Sequence, residues 1–583
     1  MKLLSIAKDR VESANKNKPR KIDVSQTRRQ FLQTASAGTA GLALMPWTAP
    51  GGPAADRPNI VLIMADDMGF SDVGSYGGEI NTSNLNRLSE EGLRFTQFYN
   101  AARCCPTRAS LLTGLYPHQA GIGHMTSDSG VPGYRGDFND HCVTIAEVLG
   151  QSGYKNYMCG KWHVTKHVDQ WTERNEYTSK RNWPLQRGFD RFYGTIVGSG
   201  SYYNPVTLTE DNTPVESIPD DYYYTDALSK RAAQYITDHD RENPDSPFFL
   251  YAAYTAPHWP LHAPTEDIAR YEGQYDDGWN VLRTRRYERM RDMGVVRDQW
   301  ELSPPGTPVD GWPASPVPAW DELDPQARRW YQRAMEVYAA QVDRMDRGIG
   351  RIVNALEQAG ELSNTLLLVL SDNGGSAERL KGDWSGLFIP DETQDGRPVV
   401  HDNARKEVLP GPPHTFMSYG SGWANASNTP FRLYKHWVHE GGIASPLIVH
   451  WPDRISNPGQ LVREPAHVID VMATAVDVAG TTYPDRADVR PMEGRSLAPA
   501  FEGRSIGQRV LFWEHEGNRA VRKGRWKLVA RHKKEWALHD LQSDRSELHD
   551  LSDQYPQKVD ELEQLYKRWA ERSNVRPWPL NGQ

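Results

Sequence analysis

The sequence predicts an α/β sandwich on a large, mainly parallel central sheet, with a small C-terminal α+β subdomain carrying an antiparallel sheet. Three observations predict it: short apolar runs bounded by turn residues, helical patterns between them, and a change of texture near residue 506. The runs are 59–65 (NIVLIMA), 154–159, 248–254 (FFLYAAY), 365–370 (TLLLVL) and 446–451 (PLIVHW), and they read as buried parallel strands. The clearest helix spans 329–356, where Met335, Tyr338, Val342, Met345, Ile349, Ile352 and Leu356 recur at three- and four-residue spacing to make one apolar face. Strands alternating with helices argue for an α/β sandwich. Beyond 506, short strands at 510–513, 519–522 and 526–530 precede an amphipathic helix at 557–571. The stretches 270–325 and 376–430, rich in Gly, Pro and charge, read as long loops that gate substrate.

At 583 residues the chain exceeds the ~250–300 residues that one core organises. Its net charge of −8 and its isolated Arg-Arg and Lys-Lys pairs exclude a nucleic-acid stripe. The 19 tryptophans suit either a sugar-binding cleft or core packing. Four cysteines (104, 105, 142 and 159) make neither a disulfide framework nor a zinc spacing; Cys142 and Cys159 are a pair or two buried thiols. Thr27-Arg28-Arg29-Gln30-Phe31-Leu32 precedes a mildly apolar run at 35–45, too short for the ~20 residues of a bilayer span. It resembles a twin-arginine export signal, which implies the twin-arginine machinery as a partner, a periplasmic or secreted product and no stable membrane span. The expected division is therefore signal and linker 1–55, catalytic α/β domain 56–505 and C-terminal subdomain 506–583.

In open parallel sheets ligands bind beyond the carboxyl ends of the strands. Here 59–65 runs into Asp66-Asp67, 154–159 into Gly160-Lys161-Trp162-His163, 248–254 into Thr255-Ala256-Pro257-His258, and 365–370 into Ser371-Asp372-Asn373. Asp66, Asp67, Asp372 and Asn373 offer only oxygen donors, which suits Ca²⁺ or Mg²⁺ rather than zinc. Arg108, Lys161, Lys435, His163 and His258 are cationic or proton-bearing, which suits an oxyanion held against the metal.

The most specific segment is Cys104-Cys105-Pro106-Thr107-Arg108-Ala109-Ser110-Leu111-Leu112-Thr113-Gly114. Pro106 is placed to be the first helical residue and Gly114 the stop, so the helix would aim its positive end at residue 104. This segment resembles the signature of the type I, formylglycine-dependent sulfatases. The resemblance extends through ADDMGFSDVG (65–74), GKWHV (160–164), APHWPLHAP (256–264), SDNGG (371–375) and RLYKHWVHEGGIASPLIVHWP (432–452), and is strongest to bacterial arylsulfatases. It implies an alkaline-phosphatase-like sandwich and a sulfuric ester hydrolase in which a maturation enzyme oxidises Cys104 to formylglycine. It further implies one Ca²⁺ held by Asp66, Asp67, Asp372, Asn373 and residue 104, with Arg108 and Lys161 on the formylglycine and sulfate. His163 would be the base, and His258 with Lys435 would serve the leaving oxygen. The substrate would be an aryl sulfate or a sulfated carbohydrate. Thr107 stands where serine is commoner, and Cys105 is a second thiol beside the modified one. The alternative is a phosphate or phosphonate ester hydrolase on the same scaffold, although Asn373 stands where a second metal would need a histidine.

Overall fold

The computed structural model describes residues 57–168, 179–306 and 317–580, which belong to a unit spanning 51–583. The expected signal and linker, 1–55, lie outside the described residues.

Among the described residues, eleven strands form one sheet. They are β1 (Asn59–Ala65), β2 (Leu93–Tyr99), β3 (Lys155–Gly160), β4 (Arg191–Thr195), β5 (Leu208–Glu210), β6 (Thr213–Pro214), β7 (Phe248–Ala253), β8 (Thr365–Ser371), β9 (Ala444–His450), β10 (Leu461–Val462) and β11 (Ala466–His467). The spatial order is β10-β2-β9-β8-β1-β7-β3-β4-β5-β6, with β11 also on β2. β1 lies between β8 and β7 and is parallel to both, and β3 continues parallel to β7. Period-two alternation sends Ile60, Leu62 and Met64 into one apolar cluster and Val61, Ile63 and Ala65 into the other. Both faces are therefore covered, which is why NIVLIMA carries no polar residue after its first position. Helix α1 (Cys104–Thr113) packs on one face; α2 (Tyr224–Glu242) and α4 (Pro325–Gln358) pack on the other.

Several expectations need correction. The strand near 446–451 is not parallel to its neighbours: β9 runs antiparallel to both β8 and β2. The chain leaving β8 stays at that strand's carboxyl edge and re-enters the sheet from there. The stretch 270–325 is not simply a loop, since α3 (Gly278–Asp292) lies within it. Its buried face includes Arg283 and Arg286, so it has no apolar stripe to read. Helix α4 starts before 329 because Asp324 caps it, accepting the Ala327 N–H at 2.8 Å, with Pro325 in the first turn. β2, with Arg94, Thr96 and Gln97, was not foreseen as a strand.

The C-terminal sheet is antiparallel: β12 (Val510–His515), β13 (Asn518–Lys523), β14 (Trp526–Ala530) and β15 (Ala537–Asp540). Helix α5 (Pro556–Arg572) covers it through Leu562, Tyr566 and Trp569 against Phe512, Leu528 and Leu538. Among the described residues seven tryptophans, including Trp162, Trp279 and Trp330, are fully buried, so much of the Trp content is core packing.

Gly160 closes β3 with φ +110, and a Cβ there would sit 1.9 Å from the Ala253 carbonyl oxygen. Gly160→Ala is expected to cost at least ~2 kcal/mol, read as a lowered thermal midpoint, because backbone of β7 must move. An unchanged midpoint would contradict this packing.

Candidate active site

The sheet order explains how distant residues meet. β2, β8, β1, β7 and β3 all point the same way, so their carboxyl ends share one edge. β1 delivers Asp66 and Asp67, β8 delivers Asp372 and Asn373, β3 delivers Lys161 and His163, and β7 leads to His258. β2 leads into α1, which begins at Cys104, two residues before the expected start, with Arg103 as its cap residue. Gly114 ends the helix in the left-handed region (φ 68), as expected. Because β9 runs the opposite way, Lys435 reaches this edge from the segment before its strand.

The contacts form one buried network. Lys161 Nζ lies 2.5 Å from Asp66 Oδ2. Arg108 Nη2 lies 2.8 Å from Asp372 Oδ2 and 3.6 Å from Asp66 Oδ2, while its Nη1 donates to the Lys161 carbonyl at 3.0 Å. Asn373 Nδ2 donates to Asp67 Oδ1 at 2.6 Å and to the Gly374 carbonyl at 3.0 Å. Lys435 Nζ is 2.9 Å from Asp67 Oδ1 and 3.3 Å from His258 Nε2. The Cys105 sulfur is 3.2 Å from His163 Nε2. The Thr107 hydroxyl accepts the Ala101 N–H at 2.9 Å, fixing the chain just ahead of Cys104. Every residue in the predicted site is thus at this edge. Asp67 (φ 65) and His163 (φ 52) hold left-handed backbone, strain of the kind that collects at functional sites.

Electrostatics separate the two cysteines. The hydrogen bond with Cys105 holds the Cys104 thiol well below its ordinary value, against burial and with help from Lys161 and His163. Burial pushes the Cys105 thiol well up. Burial brings His163 and His258 down to about 4, so both rings are neutral near pH 7. His258 Nδ1 donates to the Trp259 carbonyl at 2.6 Å, leaving its Nε2 to accept from Lys435. Asp372 is pushed up to about 8 by burial and by the Asp66 charge.

The same edge fits a hard cation. Asp66 Oδ1 and Asn373 Oδ1 are buried oxygen acceptors that no donor among the described residues reaches. The Asn373 amide nitrogen is spent on Asp67 and Gly374, which turns its oxygen inward. Two unmet acceptors among crowded carboxylates are a site that gains from a cation with oxygen preference.

Two residues here escaped the sequence reading. Glu378 lies 3.5 Å from Lys435 Nζ, and Arg103 lies 2.9 Å from Glu378. Neither sits in a recognisable motif; only the adjacency of Arg103 to Cys104 was a signal. His515 is buried beside His436, ring centroids 5.3 Å apart, and 3.6 Å from Glu516. All four cysteines are free, Cys142 and Cys159 included.

A family model described as Sulfatase matches residues 58–481, and one described as N-sulphoglucosamine sulphohydrolase, C-terminal, matches 431–574. An uncharacterised sulfatase of Schizosaccharomyces pombe is 34% identical over 538 residues, covering 87% of this chain and 92% of the relative. An arylsulfatase of Klebsiella aerogenes is 33% identical over 462 residues, covering 76% and 92%. The fold is similar to the crystal structure of Ps i-CgsB in complex with k-i-k-neocarrahexaose, with TM-score 0.62 and 23% identity over 90% of this chain and 95% of that one. With a matching family model across most of its length, and two relatives above 30% identity along nearly their whole chains, this protein belongs to the sulfatase family and is a sulfatase with the alkaline-phosphatase-like fold.

Proposed function

We propose that this sulfatase cleaves sulfate monoesters, aryl sulfates among them, with a formylglycine made from Cys104 and one bound Ca²⁺. The observation that carries the reading is the pair of unmet buried acceptors, Asp66 Oδ1 and Asn373 Oδ1, at the edge where α1 presents Cys104. Asp66, Asp67, Asp372, Asn373 and residue 104 would hold the cation, which when bound polarises a sulfate oxygen and lowers the pKa of a hydroxyl nearby. A hydrated aldehyde offers two hydroxyls, one to attack sulfur and one whose collapse expels sulfate; a serine or cysteine would stay sulfated.

The remaining groups divide the work by position. Arg108, fixed by Asp372 and the Lys161 carbonyl, supplies a buried cationic fork for the sulfate. Lys161 adds a second charge beside it, on the same Asp66 oxygen that Arg108 faces. His163, neutral and beside the cysteines, is able to take the proton that triggers collapse. On the leaving-group side the proton resides on Lys435, because the neutral His258 turns a bare Nε2 toward it. Acid help of this kind is typically worth ~10²–10⁴-fold.

Rates on 4-nitrophenyl sulfate and 4-nitrophenyl phosphate test the reaction class, with cysteine conversion measured on the same sample. Sulfate turnover should exceed phosphate turnover by at least ~10²-fold, the scale of one lost catalytic contribution. Faster phosphate turnover by fully converted enzyme would sink this proposal.

A further inference from the structure

Glu378 joins three segments of the catalytic edge. Its Oε1 is 2.9 Å from Arg103 Nη2, at the cap of α1. Its Oε2 accepts the Trp259 indole N–H at 2.9 Å and lies 3.5 Å from Lys435 Nζ. The side chain is buried, yet Lys435 and Arg103 outweigh burial and hold its carboxyl well below the usual range, so it carries charge. Trp259 in turn fixes His258: the rings lie 4.8 Å apart, and the Trp259 carbonyl accepts a hydrogen bond from His258 Nδ1–H. One carboxylate therefore touches Lys435 directly and reaches His258 through a single residue. Asp67, the other carboxylate at Lys435, belongs to the proposed cation set, so Glu378 is the partner with no competing assignment.

We propose that Glu378 is a positioning residue for the leaving-group side, aiming the Lys435 ammonium and the His258 ring at the departing ester oxygen. This rests on the leaving-group roles proposed above. The physical demand is specific. Lys435 has a flexible four-carbon stem, and Asp67 alone would draw it toward the cation site. A second carboxylate, anchored by Arg103 and Trp259, holds the ammonium between the two. An ester whose alcohol leaves poorly depends most on that placement, because negative charge builds up on its oxygen before the bond breaks. A residue needed only for folding would lower all rates alike.

The test is a series of aryl sulfates from 4-nitrophenyl through phenyl to 4-methoxyphenyl, run with wild type, Glu378→Gln and His258→Ala. Conversion at residue 104 is measured in each by mass spectrometry, and rates are compared per converted site. Glu378→Gln keeps shape and an acceptor oxygen for Trp259 while removing the charge. We expect kcat/KM to fall about 3-fold on 4-nitrophenyl sulfate and about 100-fold on 4-methoxyphenyl sulfate, with the loss mainly in kcat. A loss that is uniform across the series, or none, overturns the inference. A flat series for His258→Ala overturns the leaving-group assignment itself, whereas a tilted His258→Ala series with a flat Glu378→Gln series overturns only the role of Glu378. Should Glu378→Gln not fold, Trp259→Phe removes the indole tether and keeps the ring; it should tilt the series the same way, and a flat result counts against the proposal.

Discussion

Cys104→Ala is expected to abolish turnover, by a factor on the order of 10⁴–10⁶, and to leave the protein folded. The size follows from what the position does in the proposed reaction: every other group at the edge binds, orients or moves a proton, and only residue 104 supplies the attacking atom. The fold should survive because the change deletes one sulfur atom at a helix start, a loss of roughly 1 kcal/mol. Cys104→Ser sharpens the test. A serine hydroxyl has no second hydroxyl to expel sulfate, so the variant should release at most one equivalent of phenol and then carry a sulfate on residue 104. Undiminished steady-state activity in either variant would remove Cys104 from the mechanism.

Removal of divalent cations should cost activity on the order of 10³-fold, since a bound cation contributes several kcal/mol of charge stabilisation. It should also lower the thermal midpoint, because a ligand at 100 times its dissociation constant stabilises the folded state by ~2.7 kcal/mol. Ca²⁺ should restore both, Mg²⁺ less well and Zn²⁺ poorly, given a set of oxygen donors. Asp372→Asn separates the site from the rest of the protein. It weakens the buried pair with Arg108 (2.8 Å) and replaces a charged ligand with a neutral amide oxygen, so added Ca²⁺ should raise its midpoint far less than that of the wild type. A chelator-treated enzyme with full activity, or a midpoint shift by Ca²⁺ that is as large in Asp372→Asn as in the wild type, would contradict the cation assignment.

How much of this was legible in the sequence depends on where each residue sits. Groups that follow a buried strand, such as Asp66, Lys161 and Asp372, were readable because an uninterrupted apolar run marks the strand and the fold class marks its carboxyl end. Lys435 follows no strand, because β9 runs against its neighbours and brings in its site residue ahead of the strand, so the carboxyl-end rule alone passes over it. β2 and α3 were hidden by polar residues with buried tasks. Arg286, for example, lies in the interior of α3's packing face, paired with Asp72 at 2.6 Å and Glu79 at 2.7 Å, so hydrophobic spacing passes over it. Glu378 was the hardest: a single acid in a long polar segment has no period and no neighbouring motif, and only the tertiary meeting of Arg103, Trp259 and Lys435 gives it meaning. Cys104 rather than Cys105 was legible from the register of Pro106 and Arg108, and the three-dimensional surroundings add that the mutual hydrogen bond lowers the Cys104 thiol while burial and that bond raise the Cys105 thiol.

The central claim is that the working group at residue 104 is an aldehyde rather than the encoded thiol. Peptide mass spectrometry across 104–108, on active enzyme made in a host with the maturation machinery, tests it most directly. The account predicts an aldehyde at 104, an intact thiol at 105, and specific activity that scales with the converted fraction. Full activity in protein whose Cys104 is entirely thiol would contradict it.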